Sequence, residues 1–108
     1  MLYLHPHKFK TKIIDATQLL KLYESGKRDF SRVNLARVSL NGVNLRNIKF
    51  WQAHLAEINL SRAVLQEANL SESNLSGSTL WRTNLQCANL THAQLDRLRA
   101  VQQIIRQS

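Results

Sequence analysis

From position 30 onward, every fifth residue is leucine or phenylalanine: Phe30, Leu35, Leu40, Leu45, Phe50, Leu55, Leu60, Leu65, Leu70, Leu75, Leu80, Leu85, Leu90 and Leu95. Fourteen consecutive positions keep the pattern without a miss. With leucine at about a tenth of ordinary usage, chance does not produce such a run. A tandem repeat of this kind decides architecture before any other feature. Each copy is too short to bury its apolar side chain alone, and stacking on its neighbours makes a continuous core.

Two further places in the repeat are restricted. The residue two before each central Leu or Phe is small or β-branched after the first copy: Val33, Val38, Val43, Ile48, Ala53, Ile58, Ala63, Ala68, Ser73, Ser78, Thr83, Ala88 and Ala93. The residue just before the centre is often asparagine, as at Asn34, Asn44, Asn59, Asn69, Asn74, Asn84 and Asn89. A period of five matches neither a helix nor a strand, whose side chains recur at 3.6 and 2.0. Each copy must therefore hold a short extended piece and a bend. One large and one small inward side chain per copy fit the side and corner of a narrow tube. The chain has only three glycines and one proline, so something other than Gly- or Pro-driven turns reverses it. Asparagine before the centre is expected to bond backbone in the bend, as Asx residues do.

The units Ala68-Asn69-Leu70-Ser71-Glu72 and Ala88-Asn89-Leu90-Thr91-His92 resemble the pentapeptide-repeat family, A-(D/N)-L-x-x. The resemblance implies an all-β solenoid, a right-handed quadrilateral β-helix with four repeats per coil. Residues twenty apart then stack, which would place Phe30 under Phe50, Asp29 beside Lys49 and Arg37 beside Glu57. The chain divides into a basic N-terminal tail over 1–12, a capping helix over 13–27, the β-helix over 28–97 and a C-terminal helix over 98–108. An open β-helix exposes strand edges at both ends, and a helix at each would cover them. Asp15 with Gln18 reads as a capping box, followed by Leu19, Leu20, Leu22 and Tyr23 and stopped at Gly26. The segment also resembles the N-terminal caps of some family members, in which Leu-Leu-x-x-Tyr precedes Gly and the first repeat. Asp96 would cap the second helix, whose Leu98, Val101, Ile104 and Ile105 form one apolar stripe. That stripe is read as a lid or as a homodimer contact.

Charge narrows the partners. The net charge is +8, which raises nucleic acid or another anionic surface as a partner. From Arg28 to Arg97, eight Lys/Arg face five Asp/Glu, and the flanks carry seven against two. The excess sits mostly in the ends, and Lys8, Lys10 and Lys12 around Phe9 could meet phosphate. The lone Cys87 cannot form an intrachain disulfide. Neither a long apolar run nor a signal-peptide core is found, so a cytoplasmic protein away from membranes is expected.

Nothing in the chain reads as catalytic. No metal-spaced His/Cys cluster, phosphate-cradling glycine loop or nucleophile–base pair is found, and neither catalysis nor a cofactor is expected. His5 and His7 flank Pro6 without further ligands, and Cys87 and His92 occupy neighbouring faces. Trp51 and Trp81 each follow a centre, at a place expected to face solvent, and stand on opposite faces. Exposed tryptophan is enriched at binding hot spots. Arg62 and Arg82 share one outward column with Gly42, and Arg82 adjoins Trp81. The expectation is a non-enzymatic protein–protein interaction or scaffold module, with nucleic-acid binding through the basic flanks as the alternative. Some family members modulate DNA gyrase with an acidic, DNA-like rod. This chain is basic and three and a half coils long, so that reading ranks last.

Overall fold

The computed structural model describes residues 11–99. Its only named elements among those residues are β1 (Lys12–Ile13), α1 (Ala16–Glu24) and β2 (Val33–Asn34). The rest is built from single-residue parallel bridges, each joining the residue before one centre to the residue twenty later. They run from Asp29↔Lys49, Asn34↔His54, Ser39↔Asn59 and Asn44↔Val64 through to Thr79↔Arg99. Four repeats therefore close one coil, and the centres stack in four columns. Phe30 and Phe50 share a column, with ring centroids 6.5 Å apart and planes tilted by 59°. Arg37 Nε lies 3.0 Å from Glu57 Oε1 on the outside.

The local reason for the shape is a complete use of backbone amides within a repeat. In the unit 69–73, the Asn69 N–H donates to the Ile48 carbonyl of the preceding coil (2.9 Å). The N–H groups of Leu70 and Glu72 donate to the Asn89 and Thr91 carbonyls of the next coil (2.7 and 2.9 Å). Ser73 donates back to Leu70 across the bend (3.2 Å). The fifth N–H, of Ser71, is taken by Asn69 Oδ1 (3.0 Å). Buried backbone donors need partners, and this last one is why asparagine recurs. Asn34, Asn44, Asn59, Asn74, Asn84 and Asn89 make the same bond two residues on. Asn59→Ala is expected to cost about 1–3 kcal/mol, because it orphans the N–H of the buried Ser61. His54→Ala, at the equivalent place but without that bond, should stay within about 0.5 kcal/mol. Thermal unfolding of both variants checks the difference.

The bend itself explains how the chain turns with so little glycine. The second residue after every centre has positive φ: twelve non-glycine residues between 56° and 66°, with Gly42 at 75° and Gly77 at 69°. Only this residue of the bend is left-handed, the pattern of a type II turn. The left-handed region costs a non-glycine residue roughly 1–2 kcal/mol. The coil-to-coil bonds of the same residues, such as Arg62 N–H to the Trp81 carbonyl at 2.8 Å, offset it.

Inside, the centres from Phe30 to Leu85 are buried, with Ala53, Ala63, Ala68, Ile48 and Ile58 between them. Of the buried hydroxyls, Ser73 donates to the Leu70 carbonyl (2.7 Å) and Thr83 to that of Leu60 (2.8 Å). Ser78 Oγ finds no partner among the described residues.

At the N-terminal end, the Asp15–Gln18 capping box forms in both directions. The helix closes on Gly26 at φ 109°, with Lys27 N–H to the Leu22 carbonyl and Gly26 N–H to that of Tyr23, both 3.0 Å. This is a Schellman ending. Leu19 is fully buried on the first coil, Leu20 and Tyr23 pack beside it, and Leu22 is exposed. The Tyr23 hydroxyl donates to the Arg46 carbonyl at 2.7 Å, tying cap to tube. Two boundaries differ from the sequence reading. Lys12 and Ile13, placed in the tail and the helix, instead form β1 and pair with Val33 and Asn34 of the first coil. Leu98 and Arg99, placed in the C-terminal helix, continue the coil, since Arg99 N–H donates to the Ser78 carbonyl at 2.8 Å. Asp96 sits in the bend, where its carboxylate accepts the Ser76 hydroxyl (2.9 Å). The rest of that helix, with Val101, Ile104 and Ile105, lies outside the described residues, as do His5, His7, Lys8, Phe9 and Lys10.

Candidate interaction surface at the tryptophan corners

The coil register dictates what surrounds each tryptophan. The second residue after a centre donates its N–H to the carbonyl nineteen residues on, so its side chain neighbours the one directly after the next coil's centre. Arg32 N–H meets the Trp51 carbonyl and Arg62 N–H the Trp81 carbonyl, both at 2.8 Å. The side chains follow the backbone. The Arg32 guanidinium lies 4.9 Å from the Trp51 ring centroid and that of Arg62 4.6 Å from the Trp81 centroid. Both tryptophans are consequently half-buried rather than free in solvent.

The two corners then diverge. Trp51 is followed by Gln52, which accepts a hydrogen bond from Arg32 Nε (2.9 Å) and passes one from its amide to Glu72 (2.8 Å). Through Gln52 the charge of Arg32 is linked to the Glu72 carboxylate one coil further on. Trp81 is followed by Arg82, whose guanidinium is also held against the ring at 4.8 Å. The column Gly42, Arg62, Arg82 contains no acid, and both arginines are exposed. Among the described residues the ion pairs are Arg37–Glu57 and Arg97–Asp96, so neither arginine of this corner is matched by a carboxylate. Six repeats separate the tryptophans, and four repeats per coil put them on opposite corners. The structure thus brings Trp81, Arg62 and Arg82 together and leaves Trp51 apart.

Elsewhere the outside offers little chemistry. Cys87 is a free, exposed thiol, and His92 stands at the next corner. Among the described residues no group of three or more His, Cys, Asp or Glu is placed to hold a metal. No described helix is long and apolar enough to cross a membrane. Hydrogen bonds from Ser31 hold the Asp29 carboxyl below its ordinary value, and the Ser76 hydroxyl does the same for Asp96. Sequence reasoning missed a shallow hollow of about 160 Å³ beside Gly77, lined by Glu57, Ser76, Arg97 and Arg99. Its signal was a glycine within a column of charged residues. A second, of about 140 Å³, lies between the cap and the first coil near Lys12, Lys27 and Phe30. Both fall below the roughly 300–1,000 Å³ of ligand pockets.

Comparison with known proteins agrees with this architecture. The family described as Pentapeptide repeats matches over residues 29–63, 44–82 and 65–97. Among solved structures, the chain is similar to HetL, a pentapeptide repeat protein involved in heterocyst differentiation regulation in the cyanobacterium Nostoc sp. strain PCC 7120. That similarity has 38% identity and a TM-score of 0.62 over 66% of this chain and 33% of HetL. It is also similar to a pentapeptide repeat protein of the Arabidopsis thaliana thylakoid lumen, with 34% identity and a TM-score of 0.65 over 66% of this chain and 49% of that one. The chain therefore spans between a third and a half of the length of these two relatives. No curated protein matches it in sequence. With fourteen five-residue units, four to a coil, the chain belongs to the pentapeptide-repeat family of right-handed quadrilateral β-helices.

Proposed function

We propose that the chain is a non-enzymatic interaction module that binds another protein through the outside of its tube. One observation carries this reading: the interior is filled by the stacked centres, so any ligand must be met by outward side chains held in fixed register. A rigid surface of this kind loses little entropy on binding. A relative involved in the regulation of heterocyst differentiation fits a binding role. A cytoplasmic setting is part of the proposal, supported by the single free cysteine, although one relative resides in the thylakoid lumen.

A pull-down from nuclease-treated native lysate tests it, comparing wild type with Trp51→Ala and Trp81→Ala. The expected outcome is a protein retained by wild type and lost with Trp81→Ala. If nothing specific is retained after nuclease, while nucleic acid co-purifies without it, the module reading fails. Binding through the basic flanks then takes its place.

A further inference from the structure

Resting on that module reading, we propose that the corner formed by Arg62, Trp81 and Arg82 is a docking site for an acidic protein segment. The two guanidinium groups lie 4.6 and 4.8 Å from one indole. A guanidinium held beside a ring by cation–π attraction keeps N–H donors that the ring does not use, and such donors can grip a carboxylate with two parallel bonds. These contacts also restrain two long side chains before any partner arrives, which reduces the ordering cost of binding. Trp and Arg are the residue types most enriched at binding hot spots.

Three features bear on what this corner can bind. Its arginines are exposed and face no carboxylate among the described residues, whereas Arg32 and Arg37 are engaged with Gln52 and Glu57. The column opens on Gly42, where a Cβ would meet nothing within 4 Å, so Arg62 can be approached from that side. The positive charge is also compact. Glu57 and Glu67 stand one repeat to either side of Arg62, so the patch is bounded by acids at that level of the tube. A nucleic-acid backbone, with one charge per about 1.7 Å of duplex axis, needs a longer basic row. A short stretch bearing two or three Asp or Glu side chains matches what is here.

The test is a fluorescence-anisotropy titration at low salt with a labelled short peptide of alternating glutamate and glycine, alongside a labelled oligothymidine. Wild type is compared with Arg62→Gln/Arg82→Gln and with Arg32→Gln/Arg37→Gln, an equal change of charge elsewhere. All four arginines are exposed, so both variants should melt close to wild type. The first pair should weaken peptide binding by about tenfold and the second by less than about twofold. Equal weakening by both pairs, or no peptide binding by wild type, would overturn the proposal. So would tighter binding of oligothymidine with the same dependence on Arg62 and Arg82. Should the pull-down still capture a protein in any of these cases, the acidic occupant is excluded and the module reading stands.

Discussion

Phe50→Ala is expected to destabilise the protein by about 3–5 kcal/mol. Phe50 has no exposed surface and its ring meets Phe30 of the preceding coil at 6.5 Å. Truncation removes that contact and leaves a void in a tube whose walls are tied by backbone bonds and cannot collapse inward. For a domain of this size the loss corresponds to a fall in Tm of roughly 15–30 °C. Phe50→Leu is the control. Twelve of the fourteen centres are already leucine, so the lattice accepts it, and the cost should stay below about 1.5 kcal/mol. Differential scanning calorimetry of the two variants reads both numbers. A small loss for alanine would mean that Phe50 is not enclosed.

Overpacking should also destabilise the tube, though by less. Ala68 is 1% exposed and lies between the Leu65 and Leu70 centres, where the small column keeps opposite walls apart at a fixed distance. Ala68→Leu adds three carbons to a closed cross-section and should cost about 1–3 kcal/mol. Gln66→Leu puts the same side chain two residues away on the outside of the same coil. It should change stability by no more than about 0.5 kcal/mol. Equal melting of the two variants would contradict the inward placement of Ala68.

How much of this was legible in the sequence depends on whether a feature repeats. The centres, the small column and the Asn-to-backbone bond recur, so periodicity exposed them, and Phe30 over Phe50 and Arg37 beside Glu57 followed from the spacing of twenty. The left-handed residue in each bend is invisible in the sequence, because it is Arg, Gln, Glu, Asn, Cys or His far more often than Gly. Coil-to-coil bonding, not residue preference, imposes that conformation. Strand β1 could not be found either. Two residues carry no period, and Lys12 and Ile13 become a strand only because the first coil offers an edge. The sequence pattern stops at Arg97 for a related reason. Leu98 is larger than the residues usual at that place, yet the Thr79 edge still recruits Arg99. At the candidate site, the column Arg62–Arg82 and its nearness to Trp81 were legible. That Arg32 would be balanced through Gln52 and Glu72, while Arg62 and Arg82 would not, needed the side chains.

Every claim about core and surface depends on four repeats per coil, and one measurement tests that directly. In a Cys87→Ser background, His54→Cys combined with Asn74→Cys places two thiols on paired residues of adjacent coils. The strand spacing of about 4.8 Å falls within the range a disulfide bridges. Free thiols are counted after mild oxidation and compared with the pairs His54→Cys/Asn69→Cys and His54→Cys/Thr79→Cys, spaced fifteen and twenty-five residues apart. The first pair should close intramolecularly, and both others should keep their thiols. Closure at fifteen or twenty-five, with an open pair at twenty, would contradict the register and with it the corner that joins Arg62, Trp81 and Arg82.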